Sequence, residues 1–225
     1  NRVGDSGSFV SGIEFSEPFV IPFFREWGGL SQFQTQLLQS WFMLWIFLFE
    51  IPTGAVADYL GRRTSVVIGL AITAVAALVY ASTPSFWIFA LAEFMWGVGG
   101  AFMSGADRAL TYDSLKELKK EKSSKKIFGR LHSIHLLALL IAAPVGSIIA
   151  ETISIRATML FVFIPLAIGS LVTMTMEEPK IGWSRNSKRS YTKTIKEGIS
   201  FFRKRRILKI IAADISIIGT LTFFI

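Results

Sequence analysis

Apolar residues in this chain come in long runs separated by short polar stretches, and the runs do not alternate with the period of two that a membrane β-barrel strand requires. Candidate spans fall at about Phe9 to Phe24, Gln34 to Ala57, Thr64 to Ala81, Phe86 to Tyr112, Ile127 to Ala150 and Ala157 to Met176. A final run, Ile207 to Ile225, reads as the start of a seventh. Five of the first six approach or exceed the roughly 20 helical residues that cross a hydrocarbon core. The first is marginal, and Pro18 and Pro22 should kink or break it. Between the runs lie a Gly28-Gly29 loop, the turn Ser82 to Ser85, the lysine-rich loop Lys116 to Lys126 and a brief turn at Glu151 to Ile155. Glu177 to Lys196 reads as a polar connection, and Ile195 to Ile207 as an amphipathic helix at the membrane surface.

Composition agrees with this pattern. Hydrophobic residues make up 52% of 225 positions, and the mean hydropathy is +0.51. A soluble globule would need more polar surface. The expected class is therefore an all-α integral membrane protein. Cysteine is absent, which excludes disulfides and thiolate metal sites. The net charge of +8 would suit nucleic acid in another context. Here the basic residues lie in loops between apolar runs, so no nucleic-acid partner is expected. Of the 24 lysines and arginines, all but Arg2, Arg25 and Arg156 fall at the second, fourth and sixth gaps between spans. Cytoplasmic loops carry the excess of Lys and Arg. The even gaps and the N-terminus are thus expected in the cytoplasm, with the lysine runs solvated near anionic lipid. Because the chain begins with Asn1 and ends inside an apolar run, it reads as a fragment of something longer.

One polar stretch stands out, Gly54-Ala55-Val56-Ala57-Asp58-Tyr59-Leu60-Gly61-Arg62-Arg63, expected as a turn between the second and third spans. Gly54 would let the second span approach a neighbour, and Gly61 suits a turn of positive φ. Asp58 at a membrane edge is costly without a partner. The pattern Gly54, Asp58, Gly61, Arg62, Arg63 resembles the signature of the major facilitator superfamily, with Tyr59 where that family usually has a basic residue. The family places its signature in this loop, on the cytoplasmic side.

The resemblance implies a six-helix N-terminal bundle at residues 1–176, a cytoplasmic inter-half loop at 177–206 and the start of a truncated second half at 207–225. A missing C-terminal six-span half of the same protein would complete it. The family's signature acts as a cytoplasmic gate. By resemblance, Asp107, Arg108 and Asp113, at the end of the fourth span, are the candidate partners of Asp58 and Arg62. Gly97, Ala101 and Gly105 recur every four residues and form a small-residue stripe for helix packing. In many members an arginine precedes the glycine-rich part of that span; here the position is Glu93. The segment Ala143-Pro144-Val145-Gly146-Ser147 matches the antiporter pattern of the fifth span poorly, so the direction of travel stays open.

Glu14, Glu17 and Glu93 are the candidates for cavity or proton-coupling chemistry, because a carboxylate within a span is expensive and rare unless used. Glu50 reads as an anchor near the cytoplasmic boundary. No phosphate-binding loop or zinc-binding His-Glu-x-x-His motif occurs, so no enzyme activity, cofactor or metal is expected. The expected function is alternating-access transport of a small solute, with protons as a possible coupling ion, across a bacterial or archaeal plasma membrane. A non-transporting receptor or scaffold of the same fold is the alternative.

Overall fold

The computed structural model describes residues 17–179. The expected amphipathic helix, the seventh span and most of the inter-half loop lie outside the described residues, as does the first half of the first span, including Glu14. What is described is helical, without a strand among the described residues. The elements are α1 (Glu17–Pro22), a π-turn (Phe23–Trp27), α2 (Gln32–Leu60), α3 (Arg62–Tyr80), α4 (Phe86–Met103), α5 (Ala106–Glu117), a 3₁₀ turn (Glu121–Ser123), α6 (Ser124–Thr152) and α7 (Ile155–Thr175). Five segments are long and apolar enough to cross a membrane: Gln32–Leu60, Arg62–Tyr80, Phe86–Glu117, Glu121–Thr152 and Ile155–Thr175. The chain is an all-α, multi-pass membrane protein.

The helix ends follow local chemistry. Ser31 caps α2 through a reciprocal box: its hydroxyl accepts the Gln34 N–H at 3.3 Å, and the Gln34 side chain accepts the Ser31 N–H at 2.9 Å. Helix α2 then runs through Pro52 to Leu60, which corrects the expected turn. Ala55 to Leu60 are acceptable helix formers, and Gly61 alone breaks the chain, at φ 101° and ψ 150°. Pro52 is tolerated beside Thr53, whose buried hydroxyl reaches the Phe49 carbonyl at 2.7 Å and the Ala101 carbonyl of α4 at 2.9 Å. The first span ends as the prolines suggest, with α1 passing into the π-turn at Pro22.

The fourth span is also interrupted. Gly105 adopts a left-handed conformation, φ 71°, and separates α4 from α5. The expected lysine loop is shorter than its charge implied, because α5 continues to Glu117 and α6 begins at Ser124.

Helix α3 is the hub, packed against α2, α4, α5 and α7. Its inward face is small: Gly69, Ala74, Ala76 and Ala77 are buried. Helix α6 buries no residue and packs on α7. In water its exposed Leu136, Leu140 and Ile148 would be a liability; in lipid they face a solvent as apolar as themselves.

The two ends of the bundle differ. At one end Phe23, Phe24 and Phe89 are fully buried around Tyr80. There Arg156 donates to the Ala81 carbonyl at 2.6 Å and lies 6.0 Å from the Trp27 ring centroid. The first, third and fifth gaps therefore share that end. At the opposite end the second and fourth gaps meet the start of the sixth.

Candidate functional site

The residues at that opposite end build a clasp around Gly61. Helix α3 starts with Arg62 and Arg63, so its first turn carries no acid of its own. The missing charge comes from Glu178, beyond the end of α7. One carboxylate oxygen accepts the Arg62 N–H at 2.7 Å and the other accepts the Arg63 N–H at 2.9 Å. A carboxylate on the free N–H groups of a helix start is favoured by both hydrogen bonding and the helix dipole. The Arg62 guanidinium pairs with Asp113 of α5, and Arg63 donates to the Met174 carbonyl of α7. The α2–α3 junction is thus tied to two other helices.

Gly61 is required twice over. Its backbone sits in a region essentially reserved for glycine. A Cβ there would also lie 2.9 Å from the Glu178 carboxyl carbon.

Not every expected partner joins. Asp107 and Arg108 are exposed, and Asp107 accepts the Arg108 N–H at 2.6 Å instead of reaching Arg62. Asp58 is exposed on the last turn of α2 and enters no ion pair among the described residues. Gly54 is exposed, and a Cβ there would meet nothing within 4 Å, so the expected close approach is not present. Glu50 accepts a hydrogen bond from Ser104 at 2.9 Å across the α2–α4 interface.

The small-residue stripe divides by role. A Cβ on Gly97 would lie 3.1 Å from the Phe42 carbonyl of α2, and Ala101 is buried beside Thr53. Gly105, with open space around it, serves the chain break rather than packing. A tighter glycine contact between helices lies elsewhere. A Cβ on Gly69 would meet the Gly99 carbonyl at 2.7 Å, and one on Gly99 would meet the Gly69 carbonyl at 2.9 Å. Thr73 also faces Gly99, its hydroxyl bonded to the Gly69 carbonyl at 2.8 Å.

Glu93 is buried in α4, with 3% of its surface exposed. Gln39 of α2 donates to it at 3.3 Å, and Tyr80 of α3 lines the same small cavity. Val20, Phe42, Trp96 and Met159 complete the wall of a small cavity with room for about one water molecule. The carboxyl is thus bonded across the α2–α4 interface, in a largely apolar wall. Glu17 opens α1, and its side chain lies outside the described set.

Sequence reading missed Glu178, Gln39, Tyr80, Gly69 and Gly99. An amide inside an apolar run was the available signal for Gln39. Glu178 carried none, since a glutamate entering a charged loop looks like solvated surface.

A multi-pass helical bundle with a glycine-hinged, charge-paired junction between two spans is the class that this fold and site define. The family model of the Major Facilitator Superfamily matches residues 7–225, and the chain belongs to that superfamily. It is also similar to the inner membrane transport protein YajR of Escherichia coli (strain K12), at 27% identity over 127 residues. That match covers 56% of this chain and 27% of the relative.

Proposed function

We propose that the full-length protein is a secondary transporter that moves a small solute by alternating access, with residues 17–179 lying in its first half. The observation that carries this reading is the clasp, in which Arg62 pairs with Asp113 while Glu178 holds the start of α3. Such a junction would hold one end of this half together while the two halves rock against each other. Residues 177–206 would link the halves. Exposed Asp58 is available to the missing half, so it would act between the halves rather than within this one. Membership of the superfamily and similarity to a transport protein support the reading.

The lysine and arginine distribution supports a cytoplasmic clasp. We assign proton coupling to Glu93, whose carboxyl is buried, bonded to Gln39 of α2 and set beside Tyr80 of α3 on a cavity with room for about one water molecule. The test is solute flux by the full-length protein in sealed vesicles, following a screen for solutes accumulated or excluded by cells that express it. Flux driven by an imposed pH gradient supports coupled transport. Flux indifferent to the gradient removes proton coupling, and no protein-dependent flux of any screened solute removes the transporter reading.

A further inference from the structure

The short link between α5 and α6 carries more charge than a turn needs. Lys116, Lys119, Lys120, Lys122, Lys125 and Lys126 lie within eleven residues, against Glu117 and Glu121. All six are exposed. Leu115 is buried and fastens the knuckle to the bundle. Leu118, three residues on, is 64% exposed at its outer edge.

The backbone displays the lysines. Lys120 N–H donates to the Leu115 carbonyl at 2.8 Å and Lys119 N–H to the Lys116 carbonyl at 3.0 Å, which closes α5 in a Schellman motif. Its left-handed position, φ 55°, is occupied by Lys119 where glycine would be easier. The knuckle joins two segments long and apolar enough to cross a membrane, Phe86–Glu117 and Glu121–Thr152, which puts it on one side of the bilayer.

We propose that this knuckle is a docking site for anionic phospholipid headgroups, with the lysines on the phosphates and Leu118 inserted among the upper acyl chains. Charge complementarity selects the occupant. Lysine ammonium groups held at a bilayer surface are drawn to anionic lipid, and an exposed leucine at their centre suits a surface that is polar outside and apolar beneath. A soluble polyanion such as RNA would match the charge but leave Leu118 in water. The assignment of leaflet rests on the cytoplasmic orientation proposed above.

The experiment uses the full-length protein in nanodiscs of phosphatidylcholine, alone or mixed with phosphatidylglycerol. Leu118→Cys carries an environment-sensitive dye; residues 1–225 hold no cysteine, and any cysteine in the rest of the full-length protein is first replaced by Ser. Retention of phosphatidylglycerol by the unlabelled protein is read by native mass spectrometry. The expected result is a blue-shifted dye in the anionic discs, weakened by salt. Replacing Lys119, Lys120, Lys122 and Lys125 with Gln should lower phosphatidylglycerol retention about tenfold, while the four Lys→Arg changes preserve it. Equal dye spectra in both lipids, or undiminished retention in the Gln variant, would overturn the proposal. Displacement of the lipid by added RNA at physiological salt would also overturn it. An impermeant thiol reagent that labels Leu118→Cys from outside intact cells would overturn the orientation alone.

Discussion

The carboxylate of Glu178 accepts the backbone N–H groups of Arg62 and Arg63, so the segment after the last described helix closes the start of α3. The two sides of this contact are 116 residues apart in sequence. The first prediction follows from it. Glu178→Ala leaves two helix-start donors without their carboxylate and should cost about 1–2 kcal/mol, the range of a lost N-cap. Thermal or denaturant unfolding of the purified protein in detergent measures it. Stability equal to wild type would show that solvent replaces the carboxylate without loss.

The glycines of the signature should respond in opposite ways. Gly61→Ala combines a glycine-only backbone with a Cβ only 2.9 Å from the Glu178 carboxyl, and should cost about 2–3 kcal/mol. Gly54→Ala, exposed and inside α2 with open space around it, should be neutral or stabilise by up to about 1 kcal/mol. The same unfolding measurement compares them. Equal effects of the two substitutions would contradict the assignment of the break to Gly61.

At the α3–α4 crossing, either Gly69→Ala or Gly99→Ala forces a methyl group onto a facing backbone carbonyl. Helices cannot keep that separation, so each should destabilise by about 1–3 kcal/mol. Together they should cost less than the sum, because the first shift opens room for the second methyl. A double-mutant cycle tests this, and strict additivity would show that the two sites do not share one contact.

Glu93→Gln retains a hydrogen-bonding group for Gln39 but cannot exchange a proton. Insertion and abundance should stay near wild type, while flux loses its response to a pH gradient. The readout is counterflow, which needs no gradient, set beside gradient-driven uptake. Gradient-driven flux at the wild-type level in this variant would remove Glu93 from the coupling path.

Asp58→Asn tests the gate from the side that the clasp does not use. Asp58 lies outside the Arg62–Asp113 pair, so its neutralisation should leave the stability of this half nearly unchanged and cripple transport. Wild-type flux would reduce the stretch around Gly61 to a topological anchor.

Much of this could be read from the chain. The spans, the break at Gly61 and the meeting of Arg62 with a carboxylate at the end of the fourth span are local or family patterns. So is the choice of Glu93, since a carboxylate in an apolar run is visible without neighbours. Helix α2 extends past the expected Ala57 to Leu60, because a polar residue such as Asp58 reads as loop in sequence but does not stop a helix. At the edge of a membrane, a helix can simply continue into water, and only Gly61 carries a conformation that stops it.

What the sequence determined by itself follows from bilayer thickness and backbone satisfaction. Long apolar runs must be helices that hydrogen-bond internally, and polar links must lie between them. The tertiary structure decided which links meet. Glu178 against Gly61, Gln39 against Glu93 and Gly69 against Gly99 each join residues on separate helices. Such pairs depend on which helices are neighbours and at what rotation about their axes. In lipid, apolar side chains gain little by choosing one neighbour over another. The choice falls to a few polar and small residues, and their matching becomes visible only once the helices are packed.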